Sequence, residues 1–137
     1  MAFLLAGSLS CRMTLTWTID AENCLMAAVA KGDVTRAEVE TYLDAIIQNR
    51  VLSYRKVFDA GQGNTSMTAD DVLPLAVRMR SFHTLGKMGP LAIVVPPGRG
   101  KRLTRAFGML AVADRPMRVF EEAAKAYRWI IQQDCPV

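Results

Sequence analysis

The side chains that most often carry catalysis are sparse in this sequence. His83 is its one histidine. A nucleophilic serine or cysteine needs a base and a group to orient that base, and His83 is the only imidazole on offer. No G-x-S-x-G elbow is present. With no second histidine and no paired cysteine near His83, a metal site would need an unusual ligand set, and a structural histidine is the expectation. Asp59 is the carboxylate to watch. It ends a strand predicted over Tyr54–Asp59, and α/β folds place their ligands at the carboxyl ends of strands. Capping and solvation account for Asp70, Asp71 and Asp114. The residues therefore predict no catalytic centre, no metal and no cofactor.

The stretch with the clearest chemical character is Pro96 to Arg105, PPGRGKRLTR. It matches neither G-x-x-x-x-G-K-[ST] nor G-x-G-x-x-G. It sets Arg99, Lys101, Arg102 and Arg105 at the start of a predicted helix, the end that is already positive. Cations there are disfavoured unless solvent screens them or an anion sits nearby. A solvated basic face is the plain expectation. The functional one is a contact for phosphate, an anionic headgroup or an acidic protein surface.

Hydrophobic periodicity gives the elements that would hold these residues. Leu15, Trp17 and Ile19 alternate with Thr14, Thr16 and Thr18, which predicts a half-buried strand. Cys24–Ala30 is a second strand, joined to it as an antiparallel hairpin and broken by Lys31-Gly32-Asp33. Thr35 and Glu38 form a capping box, flanked by Val34 and Val39. The helix that follows buries Val39, Tyr42, Leu43, Ile46 and Ile47 and ends over Gln48–Arg50. After the Tyr54–Asp59 strand, Ala60–Ser66 reads as a loop. A second helix carries Leu75, Ala76, Met79, Phe82 and His83. Pro74 favours Asp70 over Thr68 as its N-cap, since Pro74 then falls in the first turn. Leu91–Val95 is a continuous apolar run, expected of a central parallel strand covered on both faces. Leu103, Ala106, Phe107 and Leu110 mark a third helix and Met117–Phe120 a last strand. Glu121–Gln132 is a final helix with Ala123, Tyr127, Ile130 and Ile131 inward. The order β-β-α-β-α-β-α-β-α implies an α/β fold with a mostly parallel sheet.

Bulk properties agree with one domain. The chain has 137 residues, 51% hydrophobic and 22% charged, with a formal charge of +4. A dedicated nucleic-acid binder shows a denser basic stripe with interleaved aromatics, so nucleic acid is not an expected partner. Cys11, Cys24 and Cys135 are odd in number and lack metal-like spacing. They predict reduced thiols in a cytoplasm rather than a disulfide framework. No apolar run is long enough to span a membrane. Residues 1–12 read as a flexible extension, with a single domain over 13–137.

Three stretches carry a family resemblance: GDVTRAEVETYLDAI, KVFDAGQGNTSMTADDV and MRVFEEAAKAYRWI. With the element order, they resemble the SpoIIAA-like branch of the STAS superfamily from about Met13 to Ile131. The resemblance implies a four- or five-stranded sheet with flanking helices and a regulatory binding role. Anti-sigma-factor antagonists of that superfamily carry a phosphorylatable serine in a D-S-S-G motif after the third strand. The matching region here, Asp59–Asp71, offers Asp59, Thr65, Ser66 and Thr68 as switch-loop candidates but no D-S-S-G. The branch is also similar in fold to a class of lipid-binding domains, which implies a groove between the second and third helices.

Two readings follow. One is a non-catalytic module binding an apolar or lipid-like ligand in a groove lined by Met79, Phe82, Phe107 and Met109. Anionic headgroups would meet Arg99, Lys101, Arg102 and Arg105, placing the protein in the cytoplasm or peripheral to the inner membrane. The other is a STAS-type interaction module acting on a regulatory protein through Gly61–Asp71. Exposed sheet edges in a domain this small also suggest a homodimer.

Overall fold

A computed structural model describes residues 14–64, 67–98 and 115–135. The predicted alternation builds a five-stranded sheet of order β1-β2-β3-β4-β5. Strands β1 (Leu15–Asp20) and β2 (Leu25–Asp33) form the antiparallel hairpin, with Leu15 opposite Ala30 and Asp20 opposite Leu25. Strands β3 (Arg55–Asn64), β4 (Leu91–Val94) and β5 (Met117–Phe120) add in parallel. Three helices are described: α1 (Arg36–Gln48), α2 (Ala69–Ser81), followed by a single 3-10 turn (Phe82–Thr84), and α3 (Ala123–Ile131). The helix expected around Leu103–Leu110 lies outside the described residues.

Successive strand side chains point to opposite faces, and the two faces pack differently. On one, Leu15, Met26, Ala28 and Ala30 meet Tyr42, Leu43, Ala45 and Ile46 of α1 and Leu75 of α2. On the other, Val57, Ala92 and Val94 meet Ala126 and Ile130 of α3. All four residues of β4 are buried, as its apolar run requires.

The capping box of α1 forms as predicted: Thr35 Oγ1 accepts from the Glu38 N–H at 3.3 Å, and Glu38 Oε1 accepts from the Thr35 N–H at 3.1 Å. Glu38 also accepts from the Thr14 N–H at 3.0 Å and the Leu15 N–H at 3.3 Å, which ties the start of β1 to the helix.

The structure corrects six expectations, the first in α1, where Ile47 is 37% exposed because Tyr42, Leu43, Ala45 and Ile46 form the buried face. β2 does not break at Lys31 but runs to Asp33, and β3 does not end at Asp59 but runs to Asn64. The two extensions pair with each other, Lys31 with Gln62 through Asp33 with Asn64, after a bulge. Backbone pairing there outweighs turn-like composition. Helix α2 starts from Thr68 rather than Asp70: Asp71 Oδ2 accepts from the Thr68 N–H at 3.1 Å. Pro74 thus lies inside the helix, where it cannot donate to the carbonyl of Asp70. Ile131 is 63% exposed, because the short α3 turns Ala126 and Ile130 to the sheet instead. Last, Cys24 and Cys135 are joined as a disulfide, 111 residues apart with Cα atoms at 6.3 Å. The odd count hid this pair, which the fold brings together across the start of β2 and the chain beyond α3. Arg55 clasps the same corner. Its guanidinium donates to the Ile131 and Gln133 carbonyls at 3.1 and 3.3 Å, and to the Asn23 carbonyl.

One close crossing shapes the edge of the sheet beneath α2. A Cβ on Gly89 would stand 2.2 Å from the Tyr54 carbonyl oxygen, so only glycine fits where the chain passes under Leu52–Tyr54. The Gly89 N–H donates to the Leu52 carbonyl at 3.0 Å.

Candidate functional site

Between the sheet and the helices α1 and α2 lies a cavity of about 410 Å³. Its floor is the alternating face of β3 and β4: Lys56, Phe58 and Ala60, then Leu91 and Ile93. Val39, Tyr42, Leu43 and Ile46 of α1 form one wall, and Val72, Leu75 and Met79 of α2 the other, with Phe82 and Met88 beyond. Tyr42 is held between two aromatic rings, Trp17 at 5.6 Å and Phe58 at 5.4 Å, both edge-on. The wall is thus almost wholly apolar, and its volume lies within the range of small-molecule sites.

Two cations break that apolar lining. Lys56 is only 2% exposed. Its Nζ donates to the Leu52 and Tyr54 carbonyls at 2.7 and 2.9 Å, the same short segment that Gly89 passes under. Arg115, just before β5, donates from Nη1 to the Gly89 carbonyl at 3.3 Å, and its Nη2 lies 3.7 Å from Met79 Sδ. The Arg115 Nε is buried with no hydrogen-bond partner among the described residues. No Asp or Glu is among the described residues lining the cavity. Burial, with the Arg115 charge adding to it, pushes the Lys56 ammonium down to about 7. Burial also lowers the Arg115 value, with the Tyr42 phenol opposing. Tyr42 itself is pushed well above its ordinary range by burial, so its phenol stays neutral.

Of the residues singled out from sequence, Met79 and Phe82 line this cavity. Phe107 and Met109 lie outside the described residues, as do Arg99, Lys101, Arg102 and Arg105, and Thr65 and Ser66. Asp59 is on the opposite face of the sheet, within electrostatic reach of Tyr127 of α3, and its Oδ1 accepts from the Gly61 N–H at 3.0 Å. Thr68 is the cap of α2. The structure therefore does not bring Asp59 and Thr68 to the groove residues. His83 is half-buried in the 3-10 turn, its Nε2 without a partner among the described residues. Lys56 and Arg115 were not anticipated, and Tyr42 only as part of the buried face of α1. Alternation carried a signal for Lys56, which shares a strand face with Phe58; Arg115 had none. No three potential metal-ligating residues cluster among the described residues, and no described helix is long and apolar enough to cross a membrane.

The SpoIIAA-like family model matches residues 25–131, from β2 to the end of α3. The chain belongs to the SpoIIAA-like family. This STAS-type family is one of generally non-catalytic regulatory or interaction modules, and the matched span contains both cations of the cavity. The SpoIIAA-like chain is also similar to the crystal structure of an uncharacterised protein with a SpoIIAA-like fold from Shewanella loihica PV-4. The two agree at a TM-score of 0.59 and 15% identity, over 85% of this chain and 93% of that one, a likeness that speaks for the fold alone. A comparison with curated proteins finds no match.

Proposed function

We propose that this SpoIIAA-like protein is a non-catalytic module that holds an apolar or lipid-like ligand between the sheet and its helices. The cavity of about 410 Å³ carries this reading. Cores of proteins are packed to crystal-like density with few voids larger than a water. The space under α1 and α2 is partly open rather than a void within that packing, and it is large enough to take a small ligand. Met79 and Met88 on its wall suit an adaptable apolar site, because thioether side chains repack easily.

Delipidated protein titrated with the neutral fluorescent probe N-phenylnaphthylamine tests the reading. Saturable, one-site binding is expected. Ala60→Phe, which fills the floor of the cavity, should abolish it while leaving the thermal midpoint nearly unchanged. A probe that binds Ala60→Phe as well as the native protein, or binds neither, would count against the cavity as the site.

A second reading has its own observation. Leu73 and Val77 of α2 are 58% and 59% exposed, one helical turn apart. That outward pair favours a regulatory protein partner on α2, as a STAS-type interaction module would have. Leu73→Glu with Val77→Glu should then abolish capture of that partner without altering probe binding.

A further inference from the structure

We propose that the cavity takes a single-chain amphiphile with an anionic head, a fatty-acid-like carboxylate, whose head sits between Lys56 and Arg115 and whose tail runs along β3. The inference rests on the apolar-ligand reading above and specifies the chemistry of that ligand.

Buried cations are ordinarily paired with an anion or neutralised, since an uncompensated charge in an apolar setting is strongly disfavoured. Here two basic side chains share one cavity, and the described lining offers no carboxylate to either. Lys56 is satisfied in part by two carbonyl oxygens, which leaves one ammonium hydrogen. Arg115 uses Nη1 on the Gly89 carbonyl and leaves its buried Nε without a partner among the described residues. A carboxylate has two oxygens and accepts such donors at once, in charge-assisted bonds. The low proton affinity of the Lys56 amine without an anion is the expected counterpart of that arrangement.

The placement of the two cations also orients the ligand. Lys56 pairs with Leu91, and Leu91 with Met117, so Lys56 and Arg115 both lie at the amino-terminal edge of the parallel strands. From there the lining turns apolar: Phe58, then Ala60, with Ile93 and Val95 alongside. The four steps from Lys56 to Ala60 advance about 13 Å along the strand, room for one extended alkyl chain. A volume near the lower end of the range for ligand sites suits one chain and not the two of a phospholipid.

The test compares ligands that differ in one part only. Dodecanoate, dodecyl phosphate, dodecanol, acetate and inorganic phosphate are titrated calorimetrically into the delipidated full-length protein. Dodecanoate should bind about tenfold more tightly than dodecanol, from charge-assisted hydrogen bonds. Across shorter carboxylates each methylene should tighten binding about fourfold until the cavity is full. Lys56→Met and Arg115→Gln should each bring dodecanoate to the level of dodecanol and leave dodecanol unchanged. Dodecanol binding the native protein as tightly as dodecanoate overturns the anionic head and leaves the apolar-ligand reading standing. Dodecyl phosphate binding tenfold more tightly than dodecanoate overturns the carboxylate. Acetate or phosphate binding as tightly as dodecanoate overturns the amphiphile, and no binding by any chain overturns both readings. The native-protein comparison stands even if a variant proves unstable.

Discussion

The two faces of one sheet have been built to opposite ends. Val57 and Phe58 are neighbours on β3, yet Val57 faces a sealed layer and Phe58 a hollow one. Under α3, Val57, Ala92 and Val94 meet Ala126 and Ile130, and small side chains let the helix lie close. Under α1 and α2, aromatic and thioether side chains stand around a space, and its charged groups among the described residues are the cations Lys56 and Arg115. Close packing is the cheaper solution, so the hollow face is where function is to be sought. The sealed face anchors the scaffold that holds it open.

The strongest test of this contrast is paired truncation. Ile130 is 0% exposed, and Ile130→Ala should cost about 4 kcal/mol by urea denaturation, from lost burial and the void left behind. Met79→Ala on the hollow face should cost only about 1 kcal/mol, because Met79 is half-buried and already borders empty space. Equal costs would mean that the hollow face packs as well as the sealed one.

The tether on the sealed side comes next. Cys24–Cys135 closes a loop of 111 residues just past α3. Cys135→Ser, or reduction, should lower stability by about 3 kcal/mol, within the usual range for a disulfide and below what chain entropy alone would give for so long a loop. Binding of N-phenylnaphthylamine to the folded protein should not change. A loss of probe binding on reduction, in protein that remains folded, would show that the two faces are coupled.

Lys56 makes the hollow face sensitive to pH. Its folded value of about 7 lies below the ordinary 10.5, so between those values the unfolded chain binds the extra proton. Stability from this group is thus present above about 10.5 and lost as pH falls through 7. Tyr42, raised by burial, acts in the opposite sense above its ordinary value of 10.0, which limits the clean window to about 7 to 10. The native protein should gain at least about 2 kcal/mol across it. Lys56→Met should flatten the rise and be more stable than the native protein at pH 6. A rise that survives in Lys56→Met would assign it to another group.

The packed elements of both faces were more legible in the sequence than the space that one of them encloses. Alternation announces β1, and short apolar runs announce β2 and β4. Where backbone approach decides, composition misleads. Gly63 reads as loop, yet a Cβ there would sit 3.1 Å from the Ala30 Cβ and 3.3 Å from its carbonyl oxygen; glycine is what lets β3 continue beside β2. Pro74 points to Asp70 as the cap, whereas the reciprocal bonds of Thr68 and Asp71 set the start of α2 two residues earlier. The cavity was hidden for a different reason. Met79 and Phe82 follow from helical spacing, but Arg115 lies 59 positions from Lys56 in the chain and meets it only through the β3-β4-β5 register. Nor does any local pattern pair Cys24 with Cys135.

The smallest effect separates the two kinds of attachment. Helix α3 is held by the burial of Ala126 and Ile130, whereas α1 adds to its own buried face a polar tie at its first turn. Glu38 binds there at two levels, to Thr35 of its own cap and to Thr14 and Leu15 of β1. Thr35→Ala removes one half of the box and should cost about 1 kcal/mol. Glu38→Ala removes the cap and the tie to β1, and should cost about 2 kcal/mol. Burial works to raise the Glu38 carboxyl, but hydrogen bonds from Thr14, Thr35 and Leu15 outweigh it and hold the value below 4.5. Its contribution is therefore complete above 4.5 and is lost as pH falls through the lowered value. Acid unfolding should accordingly begin at the hollow face, with amide exchange rising in α1 before α3. Simultaneous exchange in both helices would show that the first turn of α1 carries no special share of its attachment.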